Sequence, residues 1–291
     1  MTAAIIEPYR IAAFNTAHDS ENKIHDDATA RRFGFGGGLV PGVDVYGYMS
    51  HLPVMRWGRA WLERGTAECR FFKPVYDGDI ATVAAVERDG ELEITVESRG
   101  EVCAGGRAAL PERAPPLPAL DEFLDAPQRR QRPPADEASL PVGAWLGLDP
   151  YEVTAEMAAR YLADSHESAA IYAAEGLLHP RDILRTANFV ISRNVQLGPW
   201  IHTASRIRHL AAVTVGSTCR CVPALPAITS TKGTALSKST RWRLPTGRCP
   251  SPASRTPRSI CRARSRQRSG YALSARAAAT RIYPGCALPP L

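Results

Sequence analysis

The sequence predicts an α+β protein of two tandem units, the second incomplete. Three observations carry this reading. A short strand-like stretch near the N-terminus precedes one long apolar stretch at helical spacing; four strand-like stretches separated by turn signals follow; and helical and strand-like segments resume beyond a Pro-rich interval. At 291 residues the chain is long enough for two domains of ordinary size.

Tyr9 to Thr16 (YRIAAFNT) reads as a strand, and the run HDSENKIHDDA after it is too charged for a core. The residues DDATARRFGF suit one or two helical turns, closed by Gly34, Gly36, Gly37 and Gly38. From Val43 to Leu62 apolar residues recur at helical spacing through Val43, Tyr46, Met49, Leu52, Val54, Met55, Trp57 and Trp61, with Pro53 expected to kink the helix. TAECRFFKPV, DIATVAAVERD, ELEITVESRG and EVCAGGRAAL then read as a strand meander, with YDGD and RDGE as reversals.

The first unit is therefore placed at residues 1–112, and residues 113–143, rich in Pro and charge, read as a linker. Residues 144–222 form a partial second unit. In it TAEMAARYLADSHESAAIYAAEG reads as helix, with Thr154 as N-cap and Glu156 in the first turn. HPRDILRTANFVISRNV continues as helix, and PWIHTASRIRHLAAVTVGSTCRC as strand, turn and strand.

A second meander should follow and does not. Residues 223–291 are dominated by Arg, Ser, Pro, Ala and Thr without a sustained period, which buries too little apolar area to offset chain entropy. They contain 13 Lys or Arg and no Asp or Glu, so residues 1–222 carry a net charge of −6 within a total of +7. Three readings compete for this tail: a basic arm for nucleic acid, a linker, or translation of a GC-rich gene in the wrong frame. Dropping two nucleotides from Pro226 onward permits HRFVEVDAV, an Ala-Asp-Gly-Gln turn and VPVARV, the strands the second unit lacks. The frame-shifted reading accounts for both the composition and the missing meander, and makes nucleic-acid binding an unneeded explanation of the charge.

Composition is that of an ordinary globular chain, 44% hydrophobic and 22% charged, without a run of about 18 apolar residues to span a bilayer. The N-terminus lacks the basic and apolar regions of a signal peptide, so a cytoplasmic location is expected. The seven cysteines show no paired CxxC spacing, and no metal is expected.

The run Ser20-Glu-Asn-Lys-Ile-His25, followed by GFGGGLVPG to Gly42, resembles the hydratase signature of the MaoC-like dehydratases. That family, which includes (R)-specific enoyl-CoA hydratases, carries a D-x-N-P-x-H segment and then a G-F-…-H-G-M segment opening the central helix of a hotdog fold. The resemblance spans residues 9–110, and ILRTANFVISRNVQLGPWIHTASRIRH looks like the degenerate second repeat of double-hotdog relatives. It implies a catalytic pair in Asn22 and His25, an oxyanion donor in the Gly42 N–H, and Ser20 and Pro41 beside the substrate. It also implies an acyl group on coenzyme A or acyl carrier protein as substrate and no further cofactor. Because hotdog units pair their sheets, an unfinished second repeat is expected to leave an exposed strand edge and apolar helix face on the first, so a homodimer or aggregation should follow.

Adding water across an enoyl thioester needs a base, an acid for the α-carbon and an N–H donor for the enolate oxygen. Ser20 stands where the family has its aspartate, Lys23 where it has proline and Pro41 where it has histidine. A serine cannot be the base, and the acidic neighbours Asp19 and Asp26 are out of register. Hydratase or dehydratase activity, thioester hydrolysis and a non-catalytic acyl-binding or dimer-forming module all stay open. A histidine in a polar loop is by itself commonly a surface residue, and GFGGG alone could suggest a phosphate loop. The latter follows a helical turn rather than a strand and lacks GK[ST]. His18, His25, Asp26 and Asp27 match no standard metal spacing.

Overall fold

The computed structural model describes residues 4–114, 116, 126–141, 143–221, 229–231 and 235–237. Strand β1 (Ala4–Ala12) leads into a single 3-10 turn at Lys23–His25, helix α1 (Asp27–Arg32), the long helix α2 (Gly42–Trp57) and the short helix α3 (Arg59–Arg64). Strands β2 (Thr66–Phe71), β3 (Ile80–Arg88), β4 (Glu91–Ser98) and β5 (Glu101–Ala109) form the meander. The second half contributes β6 (Leu148–Glu152), α4 (Ala155–Ser165), α5 (Ile171–Glu175), α6 (Pro180–Asn194), β7 (Ala204–Arg208) and β8 (Thr218–Cys221), before the short strands β9 (Thr229–Thr231) and β10 (Ala235–Ser237).

An antiparallel sheet in the order β1-β3-β4-β5-β2-β7 wraps α2, every residue of which from Val43 to Val54 is buried. Ala81, Val83 and Ala85 of β3 and Leu92, Ile94 and Val96 of β4 alternate inward with the pleat and pack beneath it. The β3–β4 hairpin turns on Asp89 and Gly90, both at positive φ, as a two-residue primed turn requires. Pro53 lies within α2, which continues past it to Trp57 and ends at Gly58, whose φ of 57° suits glycine. The first strand ends four residues before the expected Thr16. Asn15 and Thr16 are drawn out of the ladder by side-chain hydrogen bonds to Asp77 and Asp44.

The two halves repeat one construction. Val40 N–H donates to Val75 O at 2.9 Å, and Leu178 N–H to Val213 O at 2.8 Å. Ala13 and the turn at Gly78 exchange backbone hydrogen bonds, as do Val153 and the turn at Gly216. Isolated bridges join Leu39 to Tyr76 and Leu177 to Thr214. These pairings make α6 the counterpart of α2, β6 of β1, β7 of β2 and β8 of β3. β2 and β7 pair antiparallel, Thr66 opposite Arg208 and Arg70 opposite Ala204, and so join the halves through one sheet.

Three expectations need adjusting. An unfinished second repeat would leave the β2 edge open, but β7 occupies it, so β2 offers no free edge for self-association. The helix read across residues 154–176 is two helices, parted at His166, which adopts a left-handed φ of 52° and turns Glu167 inward. Residues 126–141, inside the segment read as a linker, lie against the second half: Arg129 N–H donates to Asn194 Oδ1, and Leu140 is buried. The readings of residues 223–291 as a frame-shifted or disordered tail, and of the second repeat as incomplete, concern a segment of which only the paired β9 and β10 are described.

Candidate active site

The segment from Asn15 to Leu39 is a loop held open by polar contacts. Asn15, buried, donates its side-chain amide to the His25 carbonyl at 3.0 Å and its backbone N–H to Asp77 at 2.7 Å. The Ser20 hydroxyl accepts from the Asn22 N–H at 3.1 Å, so this serine shapes the turn that presents Asn22. Gly38 passes so close to the His25 backbone that a Cβ would stand 2.3 Å from the His25 oxygen, which only glycine permits. Asp26 caps α1 by accepting from Thr29 N–H, outside the cavity that His25 faces, whereas Asp19 is exposed at its edge.

Asn22 fixes the electronic state of His25. Its Oδ1 accepts from Trp200 N–H at 3.1 Å and its Nδ2 donates to Trp200 O at 2.9 Å, which settles which end of the amide is the donor. The same Nδ2 lies 3.3 Å from His25 Nε2. His25 Nδ1 therefore carries the proton, donating to Leu39 O at 2.7 Å, and Nε2 presents its lone pair. Burial lowers the His25 pKa, reinforced by the charge of Arg185 and opposed by the Leu39 hydrogen bond and by Asp44. The imidazole is thus held neutral.

Pro41 is the N-cap of α2 and Gly42 its first residue, so the Gly42 N–H belongs to the helix end that has no intrahelical acceptor. His202, from the second half, packs flat against it: a Cβ at Gly42 would lie 3.1 Å from both Cβ and Nδ1 of His202. Burial pushes the His202 pKa down to about 4; its Nε2 faces Ala204 O and Ser205 Oγ, and its Nδ1 is buried without a partner among the described residues.

Ser20, Asn22, His25, Pro41 and Gly42 line one cavity of about 1590 Å³ whose opposite wall comes from α6 and the segment before β7. On that wall Arg181 is buried between two carboxylates. It is hydrogen-bonded to Asp44 of α2 and to Thr16, and reaches Asp182 at 2.6 Å. Burial alone would lower the arginine pKa, but the two aspartates raise it, so the guanidinium stays charged. Trp200, Phe71 and Phe189 supply apolar surface.

Reading the sequence around His25 misses Arg181, Asp182, Arg185, Trp200 and His202, which lie some 140 or more residues beyond the signature. One signal was present: LVPGVD (39–44) and LLHPRD (177–182) begin equivalent helices, which places Asp182 as the counterpart of Asp44. Nothing local marks His202. Among the described residues, no group of three or more His, Cys, Asp or Glu could hold a metal ion, and no helix is long and apolar enough to cross a membrane.

No protein-family model and no curated protein sequence matches the chain. Solved structures match it in fold. It is similar to a putative MaoC domain protein dehydratase from Chloroflexus aurantiacus J-10-fl, at 13% identity over 98% of this chain and 95% of that one, with a TM-score of 0.60. It is also similar to a conserved hypothetical Mycobacterium tuberculosis protein with a double hotdog fold, at 14% identity over 94% and 96% of the two chains and a TM-score of 0.56. A variant of the GphF dehydratase matches at 14% identity over 97% and 94%, with a TM-score of 0.50. The α+β architecture of this chain is thus the double hotdog, as the resemblance in the first half implied.

Proposed function

We propose that the protein is a hydro-lyase acting on acyl thioesters, adding water to a trans-2-enoyl thioester or removing it from the 3-hydroxyacyl form. The observation that carries this reading is the pairing of a neutral His25, its Nε2 lone pair set by Asn22, with the N-terminus of α2 at Gly42 in one cavity. Two of the structures of similar fold are described as dehydratases, which supports the reaction class.

In hydration, His25 Nε2 takes a proton from water as the water oxygen bonds to the β-carbon. The double-bond electrons move onto the α-carbon and the thioester carbonyl. The developing oxyanion faces the Gly42 N–H and the positive end of the α2 dipole, donors of a kind worth about 2.7–4 kcal/mol each. The imidazolium then returns its proton to the α-carbon. Proton and hydroxyl end up across the former double bond and His25 is neutral again, so one imidazole serves as base and acid and Ser20 need do neither. The contact from Asn22 is long, 3.3 Å, so the water displaces it to reach the lone pair. The substrate is the acyl thioester of coenzyme A or acyl carrier protein, its chain lying along the apolar wall.

Purified protein mixed with a trans-2-enoyl thioester should remove the conjugated absorbance and yield the 3-hydroxyacyl thioester by mass spectrometry. Release of free thiol instead would establish hydrolysis, and a raised melting temperature without turnover would establish a binding module.

A further inference from the structure

Arg185 is a charged cavity residue to which the mechanism above gives no role. It sits one turn beyond Arg181 on α6, half-buried in the wall of the cavity that His25, Asn22 and Gly42 share. Other arginines of that wall have carboxylates: Arg132 holds Glu21, Arg160 holds Glu156, and Arg181 holds Asp44 and Asp182. Arg70 and Arg193 are exposed to solvent. Arg185 has no carboxylate oxygen within 4.0 Å among the described residues, and its one specific contact is the Phe189 ring, 5.1 Å from the guanidinium carbon. Asp44 and Asp182 are near enough to act on it through space, but both are engaged by Arg181, which repels it.

A guanidinium carries five N–H donors in a planar fork that matches an oxyanion, and partial burial without an acceptor is costly. We propose that Arg185 is an anion subsite of the cavity, binding an anionic oxygen group of the thioester substrate: a carboxylate on the acyl chain or a phosphate of its carrier. This rests on the thioester reading above and adds the class of substrate. The acyl carboxylate is the favoured source, because Arg185 lines the same cavity as His25 and Gly42, where the acyl end of the thioester must lie, and its charge reaches the imidazole. An anion docked on Arg185 would cancel part of that charge and raise the pKa of His25 in the complex.

The test compares trans-2-enoyl thioesters of equal chain length, with and without a terminal carboxylate, each made on N-acetylcysteamine, which has no phosphate, and on coenzyme A. The full chain and its Arg185→Gln and Arg185→Lys variants are assayed together. An acyl-carboxylate subsite predicts that the N-acetylcysteamine ester bearing the carboxylate is preferred by tenfold or more in kcat/KM. Arg185→Gln should erase that preference, Arg185→Lys should keep part of it, and the acid limb of the kcat profile should lie at higher pH for the carboxylated ester. If Arg185→Gln raises KM for coenzyme A esters alone, the subsite stands and the anion is the carrier phosphate. Equal losses on all four esters would make Arg185 a structural residue and overturn the proposal, as would no change on any. If no ester is turned over, the hydro-lyase reading fails by itself. A melting-temperature rise with the saturated, carboxylated N-acetylcysteamine ester or with the saturated coenzyme A ester, lost in Arg185→Gln, would then still support the subsite, and no such rise with either would end it.

Discussion

Asn22 and Trp200, 178 positions apart, exchange two hydrogen bonds through one side-chain amide, and the amide orientation they settle decides which nitrogen of His25 is unprotonated. The first half thus supplies the imidazole, and the second half orients the group that controls it. Asn22→Ala removes two buried hydrogen bonds and leaves the Trp200 carbonyl unpaired. A loss of about 1–3 kcal/mol is expected by chemical denaturation, together with faster hydrogen exchange at the Trp200 amide.

Gly42→Ala should reduce kcat more than it raises KM, because its Cβ would meet His202 at 3.1 Å and push the helix end off the oxyanion position. Glycine at position 202 removes all three His202 atoms that the methyl would meet, the Cβ included. Combining Gly42→Ala with His202→Gly should therefore recover stability relative to the sum of the two single losses, a coupling that a double-mutant cycle measures.

Arg181 compensates two aspartates at once, so Arg181→Met should cost about 3–5 kcal/mol, the usual consequence of leaving a buried charge unpaired. Adding Asp44→Asn should restore part of the loss. Urea denaturation of the single and double variants checks both statements.

Stability should fall with acidification from about pH 6.5 downward. Burial holds His202 at about 4 and His209 at about 3, so between those values and the ordinary histidine value of about 6.5 the unfolded chain binds protons that the folded chain refuses. Stability therefore rises with pH across this window, by about 1.4 kcal/mol per pH unit for each group fully within it. Glu167 acts in the same direction at lower pH. Burial alone would raise its pKa, but the close approach of His179 Nε2 at 3.6 Å and the 2.7 Å hydrogen bond with His51 outweigh burial and hold it below the carboxylate range, a contribution lost as it is protonated. Melting curves between pH 7 and pH 4 should show the fall, and His209→Phe, provided it folds, should flatten it.

The meander, the central helix and the loop bearing Asn22 and His25 were legible because each is governed by local pattern: period-two alternation in β3 and β4, the apolar run from Val43, and a spacing of three between Asn22 and His25. The opposite wall was not. Arg181 reads as a surface charge on an amphipathic helix until Asp44 is set beside it, and His202 reads as one polar residue in a strand approach until it is found against Gly42. The break at His166 was hidden for a similar reason. Nothing in the run from Thr154 to Gly176 forbids a continuous helix, and what ends it is the distant demand of His51 and His179 for the Glu167 carboxylate.

The most direct test of the central claim, that His25 is a neutral base serving a thioester site, is the pH dependence of kcat/KM for hydration by the intact chain and by His25→Gln. The base form is required, so activity should fall as pH drops, with a midpoint below the ordinary histidine value of about 6.5. His25→Gln should lose about 10²–10⁴-fold and the acid limb with it. Equal turnover by a folded His25→Gln protein, with the same acid limb, would contradict the account.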